Sequence, residues 1–94
     1  MNKDKILDLI NTSIDKISKE FDINLNKKND KIFVYGENGN FDSMMLVVLL
    51  AEIEEDLLLN YKKEVSLTSD KAMAKTTPFE SNISILDLII ESLN

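Results

Sequence analysis

The chain has 94 residues, of which 44% are hydrophobic and 30% charged, and this composition predicts one globular domain spanning residues 1–94. It contains no Cys and no His, which excludes disulfides, thiolate nucleophiles, His-based catalysis and the usual zinc ligands. The formal net charge of −6 disfavours nucleic acid as a partner, because an acidic surface repels phosphate groups.

The negative charge belongs to the second half of the chain. Residues 1–41 carry seven Lys and seven acidic residues, whereas residues 42–94 carry four Lys and ten acidic residues, a net of −6. This asymmetry fits either a solvated surface or the attraction of basic partner proteins. No signal peptide and no apolar run long enough to span a membrane is evident, so the sequence predicts a cytoplasmic protein with no membrane partner.

The first predicted element is an amphipathic helix over residues 4–21. Its apolar residues recur every three to four positions, as on one face of a helix: Ile6, Leu9, Ile10, Ile14, Ile17 and Phe21. Residues 22–41 form a long polar connection with a short apolar run at 32–35. A strand fits that run, but no partner strand is evident, so we expect a loop that packs into a helical core.

The strongest predicted helix covers residues 43–60, with Asp42 as its N-cap and Ser43 as its first residue. Its expected apolar face comprises Met44, Leu46, Val47, Leu50, Ile53 and Leu57. Met45 and Val48 fall on the opposite, acidic side. They are either a small contact patch beside Ser43 or core residues of a fully surrounded helix, and the periodicity does not separate these two interpretations.

The remaining third is less regular. Val65 and Leu67 are expected to pack as an extended segment, and one of residues 68–70 to cap a short helix through Ala72 and Met73. Pro78 blocks that helix, and Phe79 is expected to be buried. A last helix over 85–93 is predicted, with Ser84 and Asp87 as a capping box. The predicted fold class is all-α, a small four-helix bundle of three main helices and one short helix, with a long first loop.

Asp42 and Ser43 are the candidate functional residues. An Asp-Ser pair alone is typical of ordinary helix starts. Here the pair follows a loop containing both glycines of the chain and opens its most hydrophobic helix. A serine at that position has an exposed hydroxyl beside unpaired backbone N–H groups, which is a favourable place for a phosphate.

The run 35–55 resembles acyl carrier proteins and related phosphopantetheine-binding domains, which have a glycine-containing loop, then Asp-Ser-Leu, then a helix ending in acidic residues. The resemblance implies a stand-alone carrier of this bundle type, a monomer without catalytic activity of its own. A phosphopantetheinyl transferase would attach 4′-phosphopantetheine from coenzyme A to Ser43. The arm would hold an acyl or aminoacyl group as a thioester for a loading ligase and acyl-transferring enzymes of fatty acid or secondary metabolite biosynthesis.

The resemblance also implies further site residues. Partner docking would use the helix that begins at Ser43, through Met44, Met45, Val48, Glu52 and Glu55. Leu67 and Ala72 would flank the arm or its acyl chain, and no metal site is implied. The usual Leu after the serine is Met44 here, and Met45 and Val48 stand where fatty-acid carriers are often acidic, which predicts a dedicated partner.

Two other functions fit the same residues. A small acidic helical adaptor would bind a protein partner and use Ser43 only as a helix-start residue. A carboxylate enzyme would need two acidic residues facing each other across a cleft. Glu54, Glu55 and Asp56 are instead adjacent on one helix surface, so this third function is the least favoured.

Overall fold

The computed structural model describes residues 2–67 and 79–93. Within these ranges the elements, in chain order, are helix α1 (Lys3–Glu20), strand β1 (Asn26–Lys28), strand β2 (Lys31–Phe33), helix α2 (Ser43–Tyr61) and helix α3 (Asn82–Leu93). The short helix predicted through Ala72 and Met73 lies outside the described residues.

Helix α1 confirms its prediction. The Asp4 N–H donates to the side chain of the N-cap residue Asn2 at 2.8 Å, which pairs one of the free N–H groups of the first turn. The isoleucines of the predicted apolar face are buried, with Ile6, Ile10 and Ile14 fully inaccessible to solvent. Leu9 is half-buried, and Phe21, which was expected on this face, lies just past the helix end and is 40% exposed. This face packs against α2 and α3.

The predicted all-α four-helix bundle is wrong, because the described residues form three helices and a two-stranded antiparallel sheet. Strands β1 and β2 pair with Asn26 opposite Phe33 and Lys28 opposite Lys31. The two residues between them, Asn29 and Asp30, make the turn, and Asn29 adopts a φ of 58°. Asn is one of the few residues that tolerates this left-handed conformation, so the turn suits its sequence.

The other edge of β2 pairs with the segment that precedes α3. The Val34 N–H donates to the Glu80 carbonyl at 2.8 Å, and the Tyr35 N–H donates to the Phe79 carbonyl at 3.3 Å. Val34 is fully buried and Phe79 is buried as predicted. Ile32 and Val34 therefore pack into the core as expected, whereas Tyr35 is 39% exposed. The run is extended chain, paired with β1 on one edge and with residues 79–81 on the other.

Helix α3 begins three residues earlier than predicted. The Ser84 N–H donates to the Ser81 hydroxyl at 3.2 Å, so Ser81 has the role of the capping residue that the sequence assigned to Ser84. Asn82, at the start of this helix, is fully buried and hydrogen-bonded to the hairpin, through Ile32 and Asp30, and to α1, through Asn11. These bonds hold the helix start in place and explain the earlier beginning.

Helices α1 and α2 run antiparallel. Lys16 pairs with Glu52 at 2.8 Å, and the Ser13 hydroxyl donates to Asp56 at 3.4 Å, so positions earlier in α1 meet positions later in α2. After α2 the chain turns at Lys62, which adopts a φ of 58°, and continues through an irregular segment. No helix in the described ranges has both the length and the apolar character needed to cross a bilayer.

Candidate functional site

The start of α2 has the predicted capping arrangement. Asp42 is the N-cap, in an extended conformation, and its carboxylate accepts a hydrogen bond from the Met45 N–H at 2.8 Å. Its carbonyl accepts the first bond of the helix ladder, from the Leu46 N–H at 3.0 Å. The capping role of Asp42 and the position of Ser43 as first helical residue are confirmed.

Ser43 is exposed at this helix end. The N–H groups of Ser43 and Met44 precede the first rung of the ladder, and no acceptor from residues 2–67 or 79–93 bonds to them. The Ser43 hydroxyl is likewise free of hydrogen bonds to the described residues. An anion attached to this hydroxyl would lie beside two free N–H groups and the positive end of the helix dipole.

The loop before Asp42 is closely folded on the end of β2. The Phe41 N–H donates to the Val34 carbonyl at 2.9 Å, and the Phe41 side chain is buried. The Gly39 N–H donates to the Gly36 carbonyl at 3.2 Å, and a Cβ at Gly39 would collide with the Val34 carbonyl oxygen. Gly39 is therefore required for the close approach of two backbone segments, and Phe41 anchors the chain just before the site.

The structure divides the predicted docking residues between surface and core. Met44 is 68% exposed and Val48 37% exposed, whereas Met45 is only 5% exposed. The surface location assigned to Met45 is therefore wrong, and its alternative interpretation as a core residue holds. Val47, which was expected on the buried face, is instead 61% exposed.

These positions show that α2 has an apolar outer face. We define the outer face of α2 as the following solvent-exposed side chains along the helix: Met44, Val47, Val48, Ala51, Glu55 and Leu58. Glu55 is the charged member of this set. Periodicity missed the face because residues 44–51 are all apolar, so the sequence marks no polar side to the helix.

Glu52 lies at the edge of this face and is paired with α1. Its carboxylate accepts a hydrogen bond from Lys16 Nζ at 2.8 Å. This hydrogen bond and the charge of Glu52 raise the pKa of Lys16 above its ordinary value of 10.5. Glu52 is therefore partly occupied by an intramolecular partner, whereas Glu55 is exposed.

Of the two residues predicted to flank the arm, the structure describes Leu67. Leu67 is fully buried, and its N–H donates to Glu54 Oε1 at 3.1 Å. Glu54 lies eleven residues along α2 from Ser43, about 16 Å along the helix axis. Leu67 is therefore buried away from the serine itself, its role beside the arm or the acyl chain stays a prediction, and Ala72 lies outside the described residues.

An open groove of about 360 Å³ lies at the far end of α2, between residues 5–12 of α1 and residues 56–61 of α2. It is distant from Ser43, so it does not extend the candidate site. In the part of the chain that the structure describes, acidic side chains form no group of three or more that could hold a metal ion.

Comparisons with protein-family models, curated proteins and solved structures find no match to this chain.

Proposed function

We propose that this protein carries an acyl or aminoacyl group as a thioester on a 4′-phosphopantetheine arm attached to Ser43. The observation that carries the proposal is an exposed serine hydroxyl at the first position of a capped helix, beside two free backbone N–H groups. The carboxylate of Asp42 is engaged by the Met45 N–H at 2.8 Å, which holds the helix start in one geometry. The chain itself would catalyse no reaction.

The residues at this end of α2 fit a phosphodiester-linked group. The attached phosphate would keep one negative charge, which the N–H groups of Ser43 and Met44 and the helix dipole stabilise by about 0.3–1 kcal/mol. When bound, 4′-phosphopantetheine supplies a terminal thiol that forms the thioester with the cargo. Because the chain has no Cys, it offers no competing thiol.

The outer face of α2 is the docking surface in this proposal. Its first part, beside Ser43, is apolar and includes Met44, Val47 and Val48. The acidic residues of α2 begin only at Glu52. The phosphopantetheinyl transferase, the loading ligase and the acyl-transferring enzymes would therefore meet an apolar patch first and an acidic one further along.

An adaptor without a prosthetic group is the second candidate, and one observation favours it. The outer face continues to Leu58, which is 48% exposed and lies about 22 Å along the axis from Ser43. The adjacent Leu59 is 60% exposed. A partner that covers the whole length of α2 would use this surface without requiring any chemistry at Ser43.

Intact-mass measurement separates the two functions. The chain is incubated with coenzyme A and a broad-specificity phosphopantetheinyl transferase, in parallel with Ser43→Ala and with Ser66→Ala, a control that alters another exposed serine. The carrier function predicts the mass gain of one phosphopantetheine group for the wild-type chain and the control, and none for Ser43→Ala. A folded wild-type chain that gains no mass would contradict the carrier function and favour the adaptor.

A further inference from the structure

Two asparagine side chains form hydrogen bonds between the loop before Ser43 and residues 24–26, where the hairpin begins. Asn26 Nδ2 donates to the Asn38 carbonyl at 2.8 Å, and Asn40 Nδ2 donates to the Asn24 carbonyl. We call this pair of bonds the amide clasp. The two bonds lie on either side of Gly39, so they hold the tip of the loop from both directions.

The clasp supplies the side-chain restraints on the loop tip, beside the close approach of Gly39 to the Val34 backbone. Two backbone bonds also hold the loop: the Gly39 N–H donates to the Gly36 carbonyl within the tip, and the Phe41 N–H donates to the Val34 carbonyl at its end. The four asparagines of the clasp are all exposed. Exposed hydrogen bonds add little to global stability because water competes for the same groups. The clasp therefore acts locally: its principal effect is to keep the backbone of residues 37–40 in one conformation.

We infer that Asn26 and Asn40 are positioning residues for the attachment reaction at Ser43, an inference that rests on the proposed function. The loop leads directly into Asp42, so a released tip would move through the space beside the Ser43 hydroxyl. A transferase would then bind only the fraction of molecules whose loop is in place, and its apparent affinity falls by that fraction.

The clasp acts on binding and leaves the chemical step unchanged. Once the loop is in place, Ser43 is still oriented by the hydrogen bonds of the Asp42 cap and the helix ladder, in which Asn26 and Asn40 take no part. Removing the clasp should therefore raise KM for this chain as substrate and leave kcat as it is. A residue that only supports the fold would lower the melting temperature without this separation of KM from kcat.

The test measures transferase kinetics with coenzyme A on four chains: wild type, Asn26→Ala, Asn40→Ala and the double variant. Asn60→Ala, an exposed asparagine at the far end of α2, is the matched control. Each single clasp variant is expected to raise KM by about twofold, the equivalent of a weak, exposed hydrogen bond, with kcat unchanged. Asn26→Gln keeps the amide donor on an exposed strand and should recover part of the loss.

Amide hydrogen exchange gives a second readout that needs no transferase. The Gly39 N–H should exchange faster in the double variant than in the wild type or in Asn60→Ala. A wild-type chain that is loaded, with KM unchanged in the double variant, would overturn the positioning role alone. A wild-type chain that is never loaded would overturn both this inference and the proposed function.

Discussion

Replacing Asn82 by Ala should be among the most damaging single substitutions in this protein. Asn82 is fully buried, and all the hydrogen-bonding groups of its amide are used. Its Oδ1 accepts from the N–H groups of Ile32 and Ile83, each at 2.9 Å. Its Nδ2 donates to Asn11 Oδ1 at 2.8 Å and to the Asp30 carbonyl at 3.1 Å. One side chain thus joins the hairpin, α1 and α3.

The loss in the free energy of unfolding depends on which former partners of Asn82 water can reach after the substitution. The Ile32 N–H is buried and would lose its acceptor, at a cost of about 1–3 kcal/mol. Asp30 is exposed and Asn11 is half-buried, so these groups would regain water, and each lost bond costs only about 0.5–1 kcal/mol. The expected loss is about 2–5 kcal/mol, a large part of the roughly 5–14 kcal/mol typical for a chain of this length.

Urea unfolding followed by far-UV circular dichroism measures this loss. With an m-value of about 1 kcal/mol per molar, the midpoint should fall by about 2–5 M at unchanged slope. Asn60→Ala, at an exposed helical position, should change the midpoint little, because Ala is the better helix former. If Asn82→Ala and Asn60→Ala shifted the midpoint equally, the buried amide would not be the connection described here.

Three further predictions concern α2. Asp42→Ala should lower the free energy of unfolding by about 0.5–2 kcal/mol through loss of the cap to Met45, and an unchanged urea midpoint would contradict the capping geometry. Met45→Ala should cost about 2–5 kcal/mol and Met44→Ala close to nothing, since only Met45 is buried; the reverse order would show that the helix faces are wrongly assigned. Glu52→Gln should lower the pKa of Lys16 toward 10.5, because the hydrogen bond and charge of Glu52 raise it. In the wild type, the contribution of this pair to stability is present below pH 10.5 and is lost as the pH rises through the raised pKa. A side-chain NMR titration that gave the same Lys16 pKa in both chains would contradict the pairing.

The sequence was sufficient for α1 and for the start of α2. The four isoleucines of α1 recur at helical spacing beside polar neighbours, so both the element and its buried face could be read from the pattern. Asp42 has the residue type and position of an N-cap, and its capping bond forms as expected. These features depend on residues near one another in the chain, and local rules describe such residues well.

The hairpin and the orientation of α2 could not be predicted from the sequence, because both depend on contacts between residues that are far apart in the chain. Strand β1 consists of Asn26, Lys27 and Lys28, all exposed, so no hydrophobic pattern marks it. The second edge of β2 pairs with residues 79–81, more than forty positions away. In α2 the run of apolar residues at 44–51 leaves the helix phase undefined, and packing against α1 decides that Met45 is buried and Val47 exposed.

The start of α3 shows how one buried polar group can override a local signal. Ser84 and Asp87 have the spacing of a capping box, yet the helix begins at Asn82 with Ser81 as its cap. The buried Asn82 bonds to the hairpin and to α1, which fixes the backbone earlier than the local pattern indicates. A single-sequence pattern contains no sign of these distant partners.

Peptide mapping by tandem mass spectrometry, after incubation with coenzyme A and a phosphopantetheinyl transferase, tests the carrier function most directly. The predicted result is one phosphopantetheine group on the peptide that contains Ser43, with every other serine unmodified. A folded chain that remains unmodified, or that carries the group on a different serine, would contradict the assignment of Ser43 as the attachment site.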